Sequence, residues 1–150
     1  MRGAGEAYNE AMAFRLRGPL DRTALARALD TLVVRHEALR TRLAPVDDEV
    51  HQLVDPPDGG FALAVDDLTG APDAAERLAA LRRETAWAPF DLGRGPLARG
   101  RLVALGPDDH ELMLTVHHIV FDGWSRTIML RELGVCYAAA LRGEEPNCRR

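Results

Sequence analysis

The sequence predicts a mixed α/β fold in a single domain of 150 residues. Three observations carry this. Apolar residues recur at every second position in some stretches and at helical spacing in others. Gly, Pro and Asp clusters punctuate the two kinds of stretch. Two alternating stretches, 97–105 and 111–118, flank Gly106-Pro107-Asp108-Asp109 and so read as a hairpin.

Residues 1–7 are small and polar and are expected to fray. Met12, Phe14 and Leu16 alternate with Ala13, Arg15 and Arg17, a strand ended by Gly18-Pro19. Asp21 is placed to cap a helix, with Leu20 and Leu25 forming a hydrophobic staple across it. Leu25, Ala28, Leu29, Leu32 and Val33 make an apolar stripe, so the helix should run over 22–36. Residues 41–44 and 49–54 flank Pro45-Val46-Asp47-Asp48 and read as a hairpin. A loop over 55–60 leads to a short strand over 61–66.

Leu78 and Leu81 mark a second helix, with Asp73 and Glu76 early, Arg82 and Arg83 late, and Pro89 as its stop. Arg82-Arg83 reads as a solvated face. Residues 90–96 form a turn-rich connector to the hairpin. In its second strand Leu112, Leu114, Val116 and His118 share one parity, and Glu111, Met113, Thr115 and His117 the other. A final helix follows, with Leu130, Leu133, Tyr137 and Leu141 at helical spacing. Gly143-Glu144-Glu145-Pro146 is its stop, and residues 147–150 are a tail.

The stretch that carries chemistry lies between that strand and that helix: His117-His118-Ile119-Val120-Phe121-Asp122-Gly123-Trp124-Ser125. Adjacent histidines on a strand point to opposite faces, so they do not chelate one metal together. His118 shares the apolar parity and is expected to line an interior or a channel. His117 is expected to serve structurally, through hydrogen bonding. An imidazole titrates near neutrality and can accept a proton from an amine or an alcohol. The Asp122 carboxylate can accept a hydrogen bond, pair with an arginine or cap the helix. Gly123 permits positive φ and a close approach of substrate to its backbone. By spacing alone, the pattern is equally a strand ending in a buried histidine before a capped helix.

The surrounding residues add a family. His117 to Ser125 resembles the HHxxxDG signature of nonribosomal peptide synthetase condensation domains. Arg35-His36-Glu37-Ala38-Leu39-Arg40-Thr41-Arg42-Leu43 resembles the same family's RHExLRTxF motif. Pro89-Phe90-Asp91-Leu92, with Gly95-Pro96-Leu97, resembles the segment that precedes the active-site hairpin. The three occur in the family's order and span most of the chain.

The resemblance implies the chloramphenicol acetyltransferase-like fold, in which two similar lobes face each other across a channel. Residues 1–150 then form the N-terminal lobe, incomplete because the second lobe is absent. The family's opening SxAQ-type motif is missing before Tyr8. The implied reaction is amide bond formation between an acyl or peptidyl thioester and an aminoacyl thioester. Both ride on the phosphopantetheine arms of carrier proteins. His118 either takes a proton from the attacking amine or orients it, and Gly123 offers its backbone N–H to substrate. An arginine braces Asp122, with Arg35 the first choice and Arg40 the second. His36 is structural, and Trp124 packs rather than touching substrate. Trp124-Ser125, with Glu132-Leu133, leans towards a condensing rather than an epimerising member.

The implied partners are carrier proteins, the missing lobe and adjacent synthetase domains, with self-association through the exposed lobe face. No cofactor is expected on this lobe, and the isolated lobe is expected to be inactive. Two alternatives stand beside this reading. One is an HxxxD acyltransferase using coenzyme A, which the doubled histidine and the RHExLRT match count against. The other is a non-catalytic lobe that docks carrier proteins or assembles with another chain.

Composition bounds these readings. The net charge of −4 is spread along the chain and gives no reason to expect nucleic acid. No apolar run reaches the length of a membrane span. Cys136 and Cys148 are unpatterned, so a disulfide is not expected and a reducing cytoplasm is the default. A metal is not expected either, since His118 and Asp122 supply only two ligands.

Overall fold

The computed structural model describes residues 9–118 and 126–144. The readings made for residues 1–7, for 119–125 and for the tail beyond 144 lie outside them. The element order is β1 (Asn9–Arg17), α1 (Arg22–Arg35), β2 (Thr41–Val46), β3 (Glu49–Val54), β4 (Leu63–Asp67), α2 (Ala74–Trp87), β5 (Ala98–Gly106), β6 (Asp109–His117) and α3 (Arg126–Leu141). Short 3-10 turns fill Glu37–Arg40 and Pro57–Gly59.

Four strands form one sheet in the order β1-β6-β5-β4, and β2 pairs with β3 in a separate ribbon. β4 runs parallel to β5, joined to it through α2, while β1, β6 and β5 are antiparallel. β6 is interior, so both of its parities are covered. Leu112, Leu114 and Val116 pack with Leu25, Leu29 and Leu32 of α1 and with Met129 and Leu133 of α3. Met113, on the other face, packs with Leu68, Leu78 and Val103. Each fully buried leucine contributes about 1.5–3 kcal/mol relative to exposure.

Helix α1 begins as its sequence requires: the Asp21 side chain accepts from the Ala24 N–H at 2.9 Å. It ends where His36 turns extended, with φ −122°. The β2–β3 turn is tighter than the four-residue stretch expected. Asp47 and Asp48 alone form it, at φ 51° and 67°, a left-handed pair that suits the twist of a two-residue hairpin. Pro45 and Val46 stay in the ribbon.

Two expectations need correcting. Arg82 is not simply part of a solvated face. Its guanidinium donates two 2.6 Å hydrogen bonds to Glu111, a carboxylate buried on the α2 side of β6. A buried carboxylate requires such a partner, and the long arginine stem reaches it from the helix surface. Helix α3 also buries a stripe that shares only Leu133 with the expected one, Tyr137 being partly buried against the core. Met129, Glu132, Leu133, Cys136 and Ala139 face inward, whereas Leu141 is 52% exposed. The helix is apolar on most sides, so packing against α1 selects the face. No helix among the described residues is long and apolar enough to cross a membrane.

Candidate functional site

The site forms where the central strand stops. The last residue pair of the β1–β6 ladder is Asn9 with His117, and the His117 N–H donates to Leu97 O at 2.8 Å. Up to that point, alternation fixes which way each side chain faces. His117 is buried, with 6% of its surface exposed. Its ring meets Phe90 edge to face, centroids 6.1 Å apart at 78°. The contact described for its side chain is ring packing, whereas the role expected of it was hydrogen bonding.

His118 lies one residue past the ladder, and its side chain is 65% exposed. Of the two placements expected, an interior or a channel, the interior one does not hold within the described residues. Pairing has ended, so strand alternation no longer aims the side chain into the core. The ring stands at the surface instead, with Nδ1 3.8 Å from Oε1 of Glu10. The other oxygen of Glu10 accepts from Arg126 Nη2 at 3.2 Å. One carboxylate of β1 therefore sits between the histidine and the first residue of α3. A contact of this exposure is worth about 0–1 kcal/mol, so its effect falls on ring orientation more than on stability.

The RHExLRT stretch supplies the neighbouring parts. Arg35 is the last residue of α1 and lines the groove between α1 and α3 with Arg27, Asp30 and Cys136. The Arg40 guanidinium donates to three backbone carbonyls, of Val33 at 3.0 Å, Asp55 at 2.9 Å and Val34 at 3.3 Å. It clips the end of α1 to the end of β3. His36 Nε2 lies 2.6 Å from Glu132 Oε1 of α3, and both side chains are largely buried. Asp122, Gly123, Trp124 and Ser125 lie outside the described residues.

The Pro89-Phe90-Asp91-Leu92 stretch sits directly beneath His117. Arg99 of β5 stacks over Phe90, its guanidinium carbon 4.2 Å from the ring centroid. The same guanidinium donates to the carbonyl of Thr85, at 3.0 and 2.8 Å, and to that of Ala88. Burial pushes the Arg99 pKa below its ordinary value. The carbonyls at the C-terminal end of α2 supply the negative potential that offsets this cost. Asn9 clasps the same helix end, donating to Ala86 O at 3.0 Å and to Ala88 O at 3.2 Å.

Glu10, Glu132 and Arg99 have no assigned role at the site in the sequence reading. Glu10 left a trace: it is an acid on the parity of Met12, Phe14 and Leu16. Glu132 left a similar one, as an acid inside an apolar helix. Arg99 left none, because its alternation with Ala98 and Gly100 looks like any solvated strand face.

The chain is similar to known proteins over most of its length. The family model described as "Condensation domain" matches residues 1–150. Malpibaldin synthetase of Mortierella alpina is 44% identical over 143 residues, covering 95% of this chain and 3% of that protein. The X-domain from teicoplanin biosynthesis superposes with a TM-score of 0.83 at 34% identity, covering 95% of this chain and 30% of that one. The first condensation domain of the calcium-dependent antibiotic synthetase, solved with substrate analogue 2a, gives 0.82 at 30% identity, covering 97% and 35%. The chain thus spans well under half of each solved domain. The fold they share is chloramphenicol acetyltransferase-like.

Proposed function

The chain belongs to the condensation-domain family, and from that membership we propose that residues 1–150 supply the N-terminal lobe of a domain that forms amide bonds on a nonribosomal peptide synthetase. The donor is an acyl or peptidyl thioester and the acceptor an aminoacyl thioester, each carried on the phosphopantetheine of a carrier protein. The acceptor nitrogen attacks the donor carbonyl. A C–N bond forms, the C–S bond breaks, and the donor thiol leaves with its carrier. The nitrogen loses one proton in the process.

His118 is the group that takes or steers that proton. A free α-amino group has a pKa of about 7.7–8.0, so part of it is protonated at neutral pH. A neutral imidazole beside it is matched to the task. The single observation that supports this role is placement: the ring is presented at the surface immediately past the central strand, while its neighbour His117 is buried as an anchor. Gly123 donates its backbone N–H to the substrate, and Asp122 is braced by arginine. Arg35 is the first candidate for that brace and Arg40, which spans three carbonyls, the second.

Carrier proteins, the rest of the domain and adjacent synthetase domains are the partners in this reading. This lobe binds no cofactor of its own, and alone it turns nothing over. A cytoplasmic location goes with it. The coenzyme A alternative draws no support from the matches, whose curated relative is named a synthetase. The test uses the complete synthetase with two loaded carrier proteins. His118→Ala should lower the condensation rate about 10²-fold or more. An unchanged rate in a folded variant removes His118 from the mechanism.

A further inference from the structure

We propose that Arg99 is a positioning residue for His118, acting through Phe90 and His117; this rests on the function proposed above. Four contacts carry it. The Arg99 guanidinium is fixed at one end by the carbonyls of Thr85 and Ala88. Its carbon lies 4.2 Å from the centroid of the Phe90 ring. Phe90 in turn meets His117 at 6.1 Å, edge to face. His117 is held by its own N–H on Leu97 O at 2.8 Å, and its backbone continues into His118.

Each member is held tightly. Phe90 is 8% exposed, His117 6% and Leu97 fully buried. The interior is packed closely enough that a displaced ring moves its neighbours. A shift at Arg99 therefore reaches the backbone of residue 117, and the next residue carries the imidazole. Reactive geometry is sensitive at this scale: a displacement of about 1 Å costs roughly 10²-fold in rate.

The chemistry of arginine suits the position. A planar guanidinium can lie flat on a ring while its edge donates to two carbonyls. An ammonium keeps the charge but cannot do both. Arg99→Lys thus tests the geometry with the charge retained, and Phe90→Leu removes the ring while keeping an apolar side chain. Phe90→Tyr retains the ring and serves as the conservative control.

The experiment measures condensation by the complete synthetase with two loaded carriers, in four backgrounds: wild type, Arg99→Lys, His118→Ala and the double variant. Arg99→Lys should lower kcat about tenfold or more, with KM for either loaded carrier within about twofold. In the His118→Ala background the same substitution should change the residual rate less than about twofold, since the group it positions is gone. Phe90→Leu should behave as Arg99→Lys does, and Phe90→Tyr should recover most of the wild-type rate.

An equal loss in both backgrounds would make Arg99 a general scaffold residue and overturn the proposal. So would a rate unchanged by both Arg99→Lys and Phe90→Leu. Failure of the underlying function is visible separately, as a His118→Ala rate equal to wild type. Should Arg99→Lys not fold, Phe90→Leu against Phe90→Tyr decides the question in the same two backgrounds.

Discussion

His36 and Glu132 meet at 2.6 Å across 96 residues of sequence, joining the cap of α1 to the middle of α3. Both side chains are largely buried, at 15% and 10% exposure. The two helices they tie together form one wall of the main core, directly over Leu114 and Val116 of β6. The pair therefore sets where α3 lies, and with it where Arg126 begins the helix after the signature.

Removing one partner of this pair should cost more than the pair is worth, because the other is left buried. Glu132→Ala should destabilise the fold by about 2–4 kcal/mol. Chemical denaturation of the chain measures it. Joining His36→Leu with Glu132→Leu should recover much of the loss, since apolar pairs of similar size are tolerated in such places. A double variant as unstable as the Glu132→Ala protein would contradict this account.

The Arg82–Glu111 bond makes a parallel case on the other face. Glu111 is 3% exposed and takes both of its hydrogen bonds at 2.6 Å. Arg82→Met keeps the stem that covers the helix surface and deletes the donors. The expected loss is about 2–3 kcal/mol. Arg83→Met, on the neighbouring exposed residue, should stay within about 0.5 kcal/mol.

Gly100 lies where β4, β5 and β6 converge on the core. A Cβ there would sit 2.9 Å from Phe61 Cε1, 3.1 Å from Leu114 Cδ2 and 3.2 Å from Leu63 Cδ1. The obstruction is made of side-chain ends that can shift, but three must move together. Gly100→Ala should cost about 1–3 kcal/mol, and Gly100→Val should cost more. Thermal unfolding of the pair of variants measures the difference.

Part of the pH response arises at the surface, between Arg15 and Asp109. Arg15 donates to both oxygens of Asp109, at 2.6 and 2.7 Å, and this holds the Asp109 pKa below its ordinary value. A lowered folded-state pKa gives stability that is present above the unfolded value and lost as pH falls through the folded one. Arg15→Met should therefore be less stable than wild type at neutral pH. The gap should close as pH falls below the carboxylate range. A gap that persists in acid would mean the arginine acts through packing instead.

Much of this was legible in the residues. Strand alternation placed Leu112, Leu114 and Val116 on one face, and the structure buries all three. Asp21 as a cap and Pro89 as a stop follow from local chemistry, because each acts within a few residues of itself. The order of the three motifs named the family. Contacts that cross the chain were another matter. Nothing near Arg82 announces Glu111, and nothing near Arg99 announces Phe90 or the carbonyls of Thr85 and Ala88.

Local periodicity settled what each segment would become, since backbone geometry repeats every two residues in a strand and every 3.6 in a helix. It fixed side-chain direction only as far as His117, where pairing ends. Which stripe of α3 turns inward, and which acid answers His36, Arg82 and His118, was decided by the packing of segments far apart in sequence, up to the 116 positions between Glu10 and Arg126. Burial makes an unpaired charge costly, and only the assembled layers determine which charges are buried and which partners lie within reach.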